Sequence, residues 1–212
     1  MRKLIFICLL SGLASCTPYQ YFGTNNANFP KKRGKEIILI PDNQLSAGAA
    51  VWLKKSYQPP FSIEFEYSIW DDDGGTDAQW NSADGISVMF CKDAGAYGKP
   101  PTGQERGFLN DGTGYGIHIM SYGYDRGIVL TSASGSRLDE YPENNTYTHG
   151  DWCPMRIEVR ETSVKVYYRD NLAIFWQGKL DGRYGGVGFG SGTGGADGEH
   201  KIRSVRVKSL LE

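Results

Sequence analysis

Phe61, Ile63, Phe65, Tyr67 and Ile69 alternate strictly with Ser62, Glu64, Glu66 and Ser68. A period of two suits an extended chain with one buried and one wetted face, whereas a helix would scatter these residues around its circumference. The pattern returns at Ile86, Val88 and Phe90, and at Ile117 and Ile119. It also recurs at Ile157 and Val159, at Val164 and Val166, and at Val205 and Val207. Glu36–Ile40 and Gly186–Phe189 read as further strands. Gly74-Gly75, Asp111-Gly112, Asp181-Gly182 and Gly194-Gly195 punctuate them as turns. Met155–Arg160, Val164–Tyr168 and Leu172–Trp176 are separated only by Glu161-Thr162-Ser163 and Arg169-Asp170-Asn171, which predicts a three-stranded meander. No segment carries an apolar stripe of helical period and length. Many strands with little helix, in one domain's length of chain, predict an all-β, two-sheet antiparallel sandwich.

The first fifteen residues lie outside that domain. Arg2 and Lys3 precede an apolar run from Leu4 to Leu10, and Leu13-Ala14-Ser15-Cys16 follows. This is the layout of a signal peptide, with a basic start, a short apolar middle and small residues at the cleavage point. Its last four residues resemble the bacterial lipobox, in which cleavage precedes a lipidated cysteine. The resemblance implies a lipoprotein signal peptide at 1–15, lipidation at Cys16, and a bacterial cell-envelope location, lipid-anchored at the outer membrane. The alternative is an ordinary secretory signal with an incidental cysteine. The apolar run is too short to span a bilayer. Residues 16–33 are polar and Asn-rich, end in Lys31-Lys32-Arg33, and read as a lipidated tether.

A formal net charge of -1 offers no electrostatic footprint for nucleic acid, so no nucleic-acid partner is expected. With the signal removed and Cys16 lipidated, Cys91 and Cys153 remain. In an oxidising compartment they are a candidate disulfide; the alternative is two separate buried thiols. Twenty-eight glycines and thirteen tyrosines fit a chain of tight turns and half-exposed aromatic faces.

Three segments together resemble the legume-type (L-type) lectins of the concanavalin A-like superfamily, and the resemblance, over residues 34–212, implies that superfamily's jelly-roll form of the sandwich. They are Ala83-Asp84-Gly85 leading into Ile86–Phe90, the Gly-rich turn Gly103–Asp111 before the strand Tyr115–Tyr122, and the closing Gly186–Val207 with its Val-Gly-Phe, Thr-Gly and variable loop. The resemblance implies a lectin-like, carbohydrate-binding domain without catalysis, whose partner is a glycan or polysaccharide. Asp84 is then the acceptor for sugar hydroxyls, since a carboxylate takes two charge-assisted hydrogen bonds. Gly107 matches the backbone donor of the Gly-rich turn. Gly195, Ala196 and Asp197 match the specificity loop, and Tyr122 and Tyr124 are candidates for a ring stacked on the sugar's C–H face. The competing reading of Asp84-Gly85 is a plain turn before a strand.

The resemblance also implies calcium and a transition metal held by Glu and Asp on the strand matched by Tyr115–Tyr122. Here those positions are His118 and Met120, which are not hard oxygen ligands, so no metal and no other cofactor is expected. A non-proline cis bond costs about 3–4 kcal/mol. Without metals the Ala83–Asp84 bond is therefore expected to be trans, or cis through side-chain contacts alone. The Asp71–Asp77 cluster reads as a solvated acidic turn, with calcium binding as the alternative; Trp70 and Trp80 beside it are candidates for a sugar platform.

Two other functions stay open. Retaining glucanases of the superfamily place two carboxylates on one strand face, about 5 Å apart. Glu64 and Glu66 have that alternation, although an ordinary polar face explains them as well. Gly150-Asp151-Trp152 and the strand after it resemble the 3-keto-disaccharide hydrolases, which gives a glycoside-active alternative. The third reading is a surface protein-interaction module. No Ser-His-Asp motif, phosphate loop or zinc signature occurs.

Overall fold

A computed structural model describes residues 18–23, 29–70, 83–97, 99–108, 110–122, 126–142, 146, 148 and 150–211. The signal segment, Cys16, the acidic cluster with Trp80, and Tyr124 lie outside the described residues. In chain order the strands are β1 (Tyr19–Gly23), β2 (Lys31–Arg33), β3 (Glu36–Ile40), β4 (Gly48–Leu53), β5 (Phe61–Trp70), β6 (Gly85–Lys92) and β7 (Tyr115–Met120). There follow β8 (Gly127–Thr131), β9 (Arg137–Tyr141), β10 (Cys153–Arg160), β11 (Ser163–Tyr168), β12 (Asn171–Gln177), β13 (Gly186–Gly192) and β14 (Glu199–Ser209). A 3-10 turn spans Gly103–Glu105.

The strands form two seven-stranded sheets. One runs β1-β4-β13-β6-β7-β8-β9 and the other β12-β11-β10-β5-β14-β3-β2, with antiparallel pairing throughout. The alternating residues do what their period requires. Ile63, Phe65, Tyr67 and Ile69 of β5 meet Ile86, Val88 and Phe90 of β6 and Phe189 of β13 in one core between the layers. Phe65 and Phe189 touch edge to face across it, with centroids 5.0 Å apart. Each such side chain, fully buried, stabilises the fold by about 1.5–3 kcal/mol.

The first sheet is covered on its outer face too. The connection 93–114 leaves β6, lies over Trp52 and Met89 with Tyr97 and Phe108, and returns to β7. Its base is held by Lys92, which is fully buried and donates to Asp111 (2.7 Å) and to the Thr113 carbonyl (3.0 Å). This explains why β6 is buried along its whole length and not on one face only. Segment 146–150 laces the sheets together. Tyr67 donates to the Thr146 carbonyl (3.0 Å), Thr146 donates to the Met120 carbonyl, and the Ile69 N–H donates to Thr148 (2.8 Å).

One detail differs from the sequence reading, and two fall on alternatives it left open. Tyr19–Gly23 and Lys31–Arg33, read as tether, are strands pairing with β4 and β3. Tyr19 and Tyr21 pack against the core, and the charged β2 closes its sheet with an edge that discourages further pairing. Cys91 and Cys153 are separate buried thiols, so the candidate disulfide is not formed. They lie on different sheets with different neighbours: Asp181 acts on Cys91, whose thiol burial pushes up to about 12, while Cys153 sits by Tyr67 and Tyr168. The Ala83–Asp84 peptide is cis, so of the two forms expected for it the trans one is set aside. Backbone groups, more than side chains, meet this stretch. The Ala83 N–H donates to the Asp197 carbonyl (2.9 Å), the Asp84 N–H to the Gly192 carbonyl (2.8 Å), and the Ser121 N–H to the Asp84 carbonyl (3.4 Å).

Candidate functional site

The start of β4, β6 and β14 and the end of β3, β5, β7 and β13 share one end of the sandwich. The registers require it: Gly48 opposes Gly192, which opposes Gly85, which opposes Met120, while Trp70 opposes Glu199. The loops 41–47, 83–84 and 193–198 therefore meet there, and the tip of connection 93–114 reaches them. Thr193 ties this end together: its N–H donates to the Ala47 carbonyl (2.9 Å), its hydroxyl accepts from the Ala47 N–H (3.0 Å), and its carbonyl accepts from the Gly103 N–H (3.0 Å).

Asp84 lies at the centre of these loops and is only 7% exposed. Its Oδ2 is buried and has no hydrogen-bond partner among the described residues. A buried carboxylate oxygen left unmatched costs free energy, so such an atom is where a donor from outside would gain most. The nearest neighbours on that side are glycines. A Cβ built on Gly194 would stand 3.2 Å from Oδ2 and one on Gly103 3.8 Å, so only the slim backbone of glycines lies against Oδ2 on that side. Burial raises the Asp84 carboxyl above the ordinary carboxylate range, and the positive charge of Arg106 pulls it back.

The other predicted residues divide. Gly195 is exposed with open space where a Cβ would be, and Ala196 and Asp197 are half-buried beside it. This loop stands next to Asp84, because the Asp197 carbonyl holds Ala83. Tyr122 is 44% exposed and follows Ser121, whose N–H reaches the Asp84 carbonyl. Gly107 corrects the expectation. Its N–H already donates to the Pro101 carbonyl (3.2 Å), and its carbonyl accepts from the Tyr97 hydroxyl. It is buried against Ala49, Gly190 and Ser191 with φ +74°, so it shapes the turn and offers no donor to a ligand. Trp70 lies at the same end of the sandwich, against Gly150.

Arg106 and His118 are the residues the sequence did not single out as partners of this site. Arg106 acts electrostatically on both Asp84 and His118. Its Nε–H points at His118 Nδ1 (3.4 Å), and His118 Nε2 meets the Thr131 hydroxyl (2.9 Å). Burial holds the His118 ring well below its ordinary value, reinforced by Arg106 and Arg137. His200, the other buried histidine near this end, is pushed down to about 3 by burial and contacts the Ser191 hydroxyl at 2.5 Å.

The two strand positions expected to carry metal ligands do not fit a calcium ion. Both nitrogens of His118 are engaged, one of them beside a guanidinium, and Met120 offers only a thioether. Among the described residues no group of three or more His, Cys, Asp or Glu side chains could hold a metal ion. The glucanase-like pair is also accounted for. Glu66 takes a two-pronged bond from Arg203 (2.9 Å each) and Glu64 pairs with Lys208 (3.0 Å), both between β5 and β14 of the second sheet.

No protein-family model matches the chain, and no curated protein matches it by sequence. Solved structures do. The VIP36 exoplasmic/lumenal domain in its Ca2+/Man3GlcNAc-bound form is 16% identical, with a TM-score of 0.71 over 92% of this chain and 87% of that one. A legume lectin-like domain from Entamoeba histolytica is 15% identical, TM-score 0.68, covering 92% of this chain and 91% of its own. Arcelin-5, a lectin-like defense protein from Phaseolus vulgaris, is 11% identical, TM-score 0.72, covering 93% and 95%. At such identities the likeness speaks to architecture: the chain has the concanavalin A-like legume-lectin fold.

Proposed function

We propose that this domain binds a glycan at the end of the sandwich where Asp84 lies, and that it does so without catalysis. The observation that carries the reading is the unmatched Oδ2 of Asp84, buried between glycines at a junction of loops. A sugar's adjacent hydroxyls are donors of the right kind for it. The exposed Gly195 loop and the Tyr122 ring would supply contacts that set specificity. The likeness to the VIP36 domain, which has a mannose-bound form, adds support. The test is a glycan array probed with the native chain and with Asp84→Asn. The native chain is expected to bind a defined set of glycans saturably and release no sugar. Asp84→Asn is expected to lose at least about tenfold in affinity, because one charge-assisted acceptor is removed. Equal binding by both would overturn the assignment.

The second part of the reading is attachment. The Leu13-Ala14-Ser15-Cys16 segment supports a lipid on Cys16 and residence on a bacterial envelope membrane. Several acyl chains are needed for lasting residence. Cys16→Ser, expressed in a bacterial host, is expected to move from the membrane fraction to the soluble fraction. Retention of that variant in the membrane would refute the lipid anchor.

A further inference from the structure

We propose that the guanidinium of Arg106 takes the place of a divalent cation in this domain: hydrogen bonding to His118 holds its side chain beside Gly85, and its positive charge acts on the neighbouring Asp84. The identity of the ligand of Asp84 rests on the carbohydrate reading; the role of Arg106 does not.

Arg106 is pinned before its side chain begins. It has φ 50°, its N–H donates to the Gly103 carbonyl (2.9 Å), and its carbonyl accepts from the Ser87 hydroxyl (2.8 Å). The side chain then passes over Gly85, where a Cβ would stand 3.4 Å from Arg106 Cδ, and reaches His118. Gly85 follows Asp84 directly, so the guanidinium stem covers the backbone of the Ala-Asp-Gly motif itself.

The direction of the hydrogen bonds is set by chemistry. An arginine only donates. His118 Nδ1 must therefore accept, which leaves the proton on Nε2, donated to the Thr131 hydroxyl (2.9 Å). Thr131 in turn donates to the Gly116 carbonyl (3.4 Å). Every group in the run Arg106, His118, Thr131, Gly116 has one compatible role, and the histidine is neutral. Phe108 closes over the ring edge to face at 5.1 Å.

Among the described residues nothing beside this run offers a dication its ligands. Calcium takes six to eight oxygen ligands. The cavity beside the run, about 250 Å³, is lined by Arg106, Arg137, Asn110 and Thr131, and Glu105 is the only carboxylate among its described lining residues. A permanent positive charge already stands there and repels a second one. The guanidinium supplies the same sign of charge next to Asp84 and adds planar donors that a metal lacks.

The experiment uses the full chain, freed of metal with EDTA and then titrated with calcium and manganese by calorimetry. Melting temperature is recorded in parallel. The tautomer of His118 is read from its side-chain nitrogen resonances in the native chain, in Arg106→Gln and in Arg106→Lys. The expectation is no calcium uptake up to about 1 mM, the weak end of protein calcium sites, and the same melting temperature with and without EDTA. His118 should be neutral with its proton on Nε2 in the native chain, as acceptance from Arg106 at Nδ1 requires. Glycan affinity should fall roughly tenfold in Arg106→Gln and less in Arg106→Lys, which keeps the charge without the planar fork. Should Arg106→Gln fail to fold, Arg106→Lys and the metal titration decide. Calcium uptake with a rise in melting temperature, or a native His118 that carries its proton on Nδ1, would overturn the proposal. If the native chain binds no glycan, the carbohydrate reading falls alone; the titration and the tautomer still judge Arg106.

Discussion

Gly107 and Gly195 belong to loops at the same end of the sandwich and should respond oppositely to one added methyl group. At Gly107, φ is +74° and a Cβ would come within 2.5 Å of the Ala49 carbonyl oxygen and 2.9 Å of the Ser191 nitrogen. Both are backbone atoms of paired strands and cannot step aside. Gly107→Ala is expected to destabilise by about 2–4 kcal/mol, from the left-handed conformation and the overlap together. At Gly195 nothing stands within 4 Å. Gly195→Ala should stay within about 0.5 kcal/mol of the native chain in urea unfolding. Equal midpoints for the two variants would mean that the Gly107 turn is not packed as described. Asp84 and the Gly195 loop were singled out by the lectin resemblance of their segments, and the fold sets them side by side through the Ala83–Asp197 bond. Gly107 was legible as special and misread in role, since nothing local says that its N–H is spent on Pro101. Arg106 gave no signal of its own: an arginine in a polar loop looks solvated until the fold carries it to Asp84 and His118.

Element by element, the strands with a free outer face were the clearest. β5 and the β10–β12 meander follow their alternation, and the turn at Arg169-Asp170 has φ of 48° and 65°, the conformation a two-residue hairpin favours. The loop before it is also two residues, since Arg160 opposes Ser163 directly. Bulges explain where the period breaks. In β14, His200 and Ile202 are buried, and the step to the core-packed Val205 and Val207 is three residues instead of two. Ser204 at φ 56° takes up the extra residue, and the register against β5 shifts between Arg203 and Arg206. Cys91 at φ 50° does the same for β6, which lets Phe90 and Cys91 both join the core. β1 and β2 were not legible. Three to five residues in a polar stretch carry too little pattern, and they become strands because β4 and β3 offer open edges. Glu64 and Glu66 were ambiguous until β14 placed Lys208 and Arg203 opposite them.

At the scale of the whole molecule the two-layer plan was legible from period and length, but the relation between its ends was not. β4 joins them. Gly48 belongs to the end where Asp84 lies; Leu53 belongs to the other, and opposes Tyr19. Pro18 is there as well, since its carbonyl accepts from the Lys54 N–H (3.0 Å). At about 3.3 Å per residue, β4 alone separates the two ends by about 17 Å. With a lipid on Cys16, two residues before Pro18, the bilayer would meet the Leu53 end, and the Asp84 end would face away from it. The sequence reading of residues 16–33 as a long tether carried no such consequence, because a flexible leash orients nothing. Two cysteine-labelled variants of the lipidated chain in vesicles test it. A dye on Lys54→Cys should be quenched by a headgroup-located quencher, and a dye on Gly195→Cys should not. Labelling is selective because both native thiols of the domain are buried. Equal quenching at both positions would mean that the domain tumbles freely on its anchor. The reverse pattern would put Asp84 against the membrane and make a lipid headgroup, and not a distant glycan, its natural ligand.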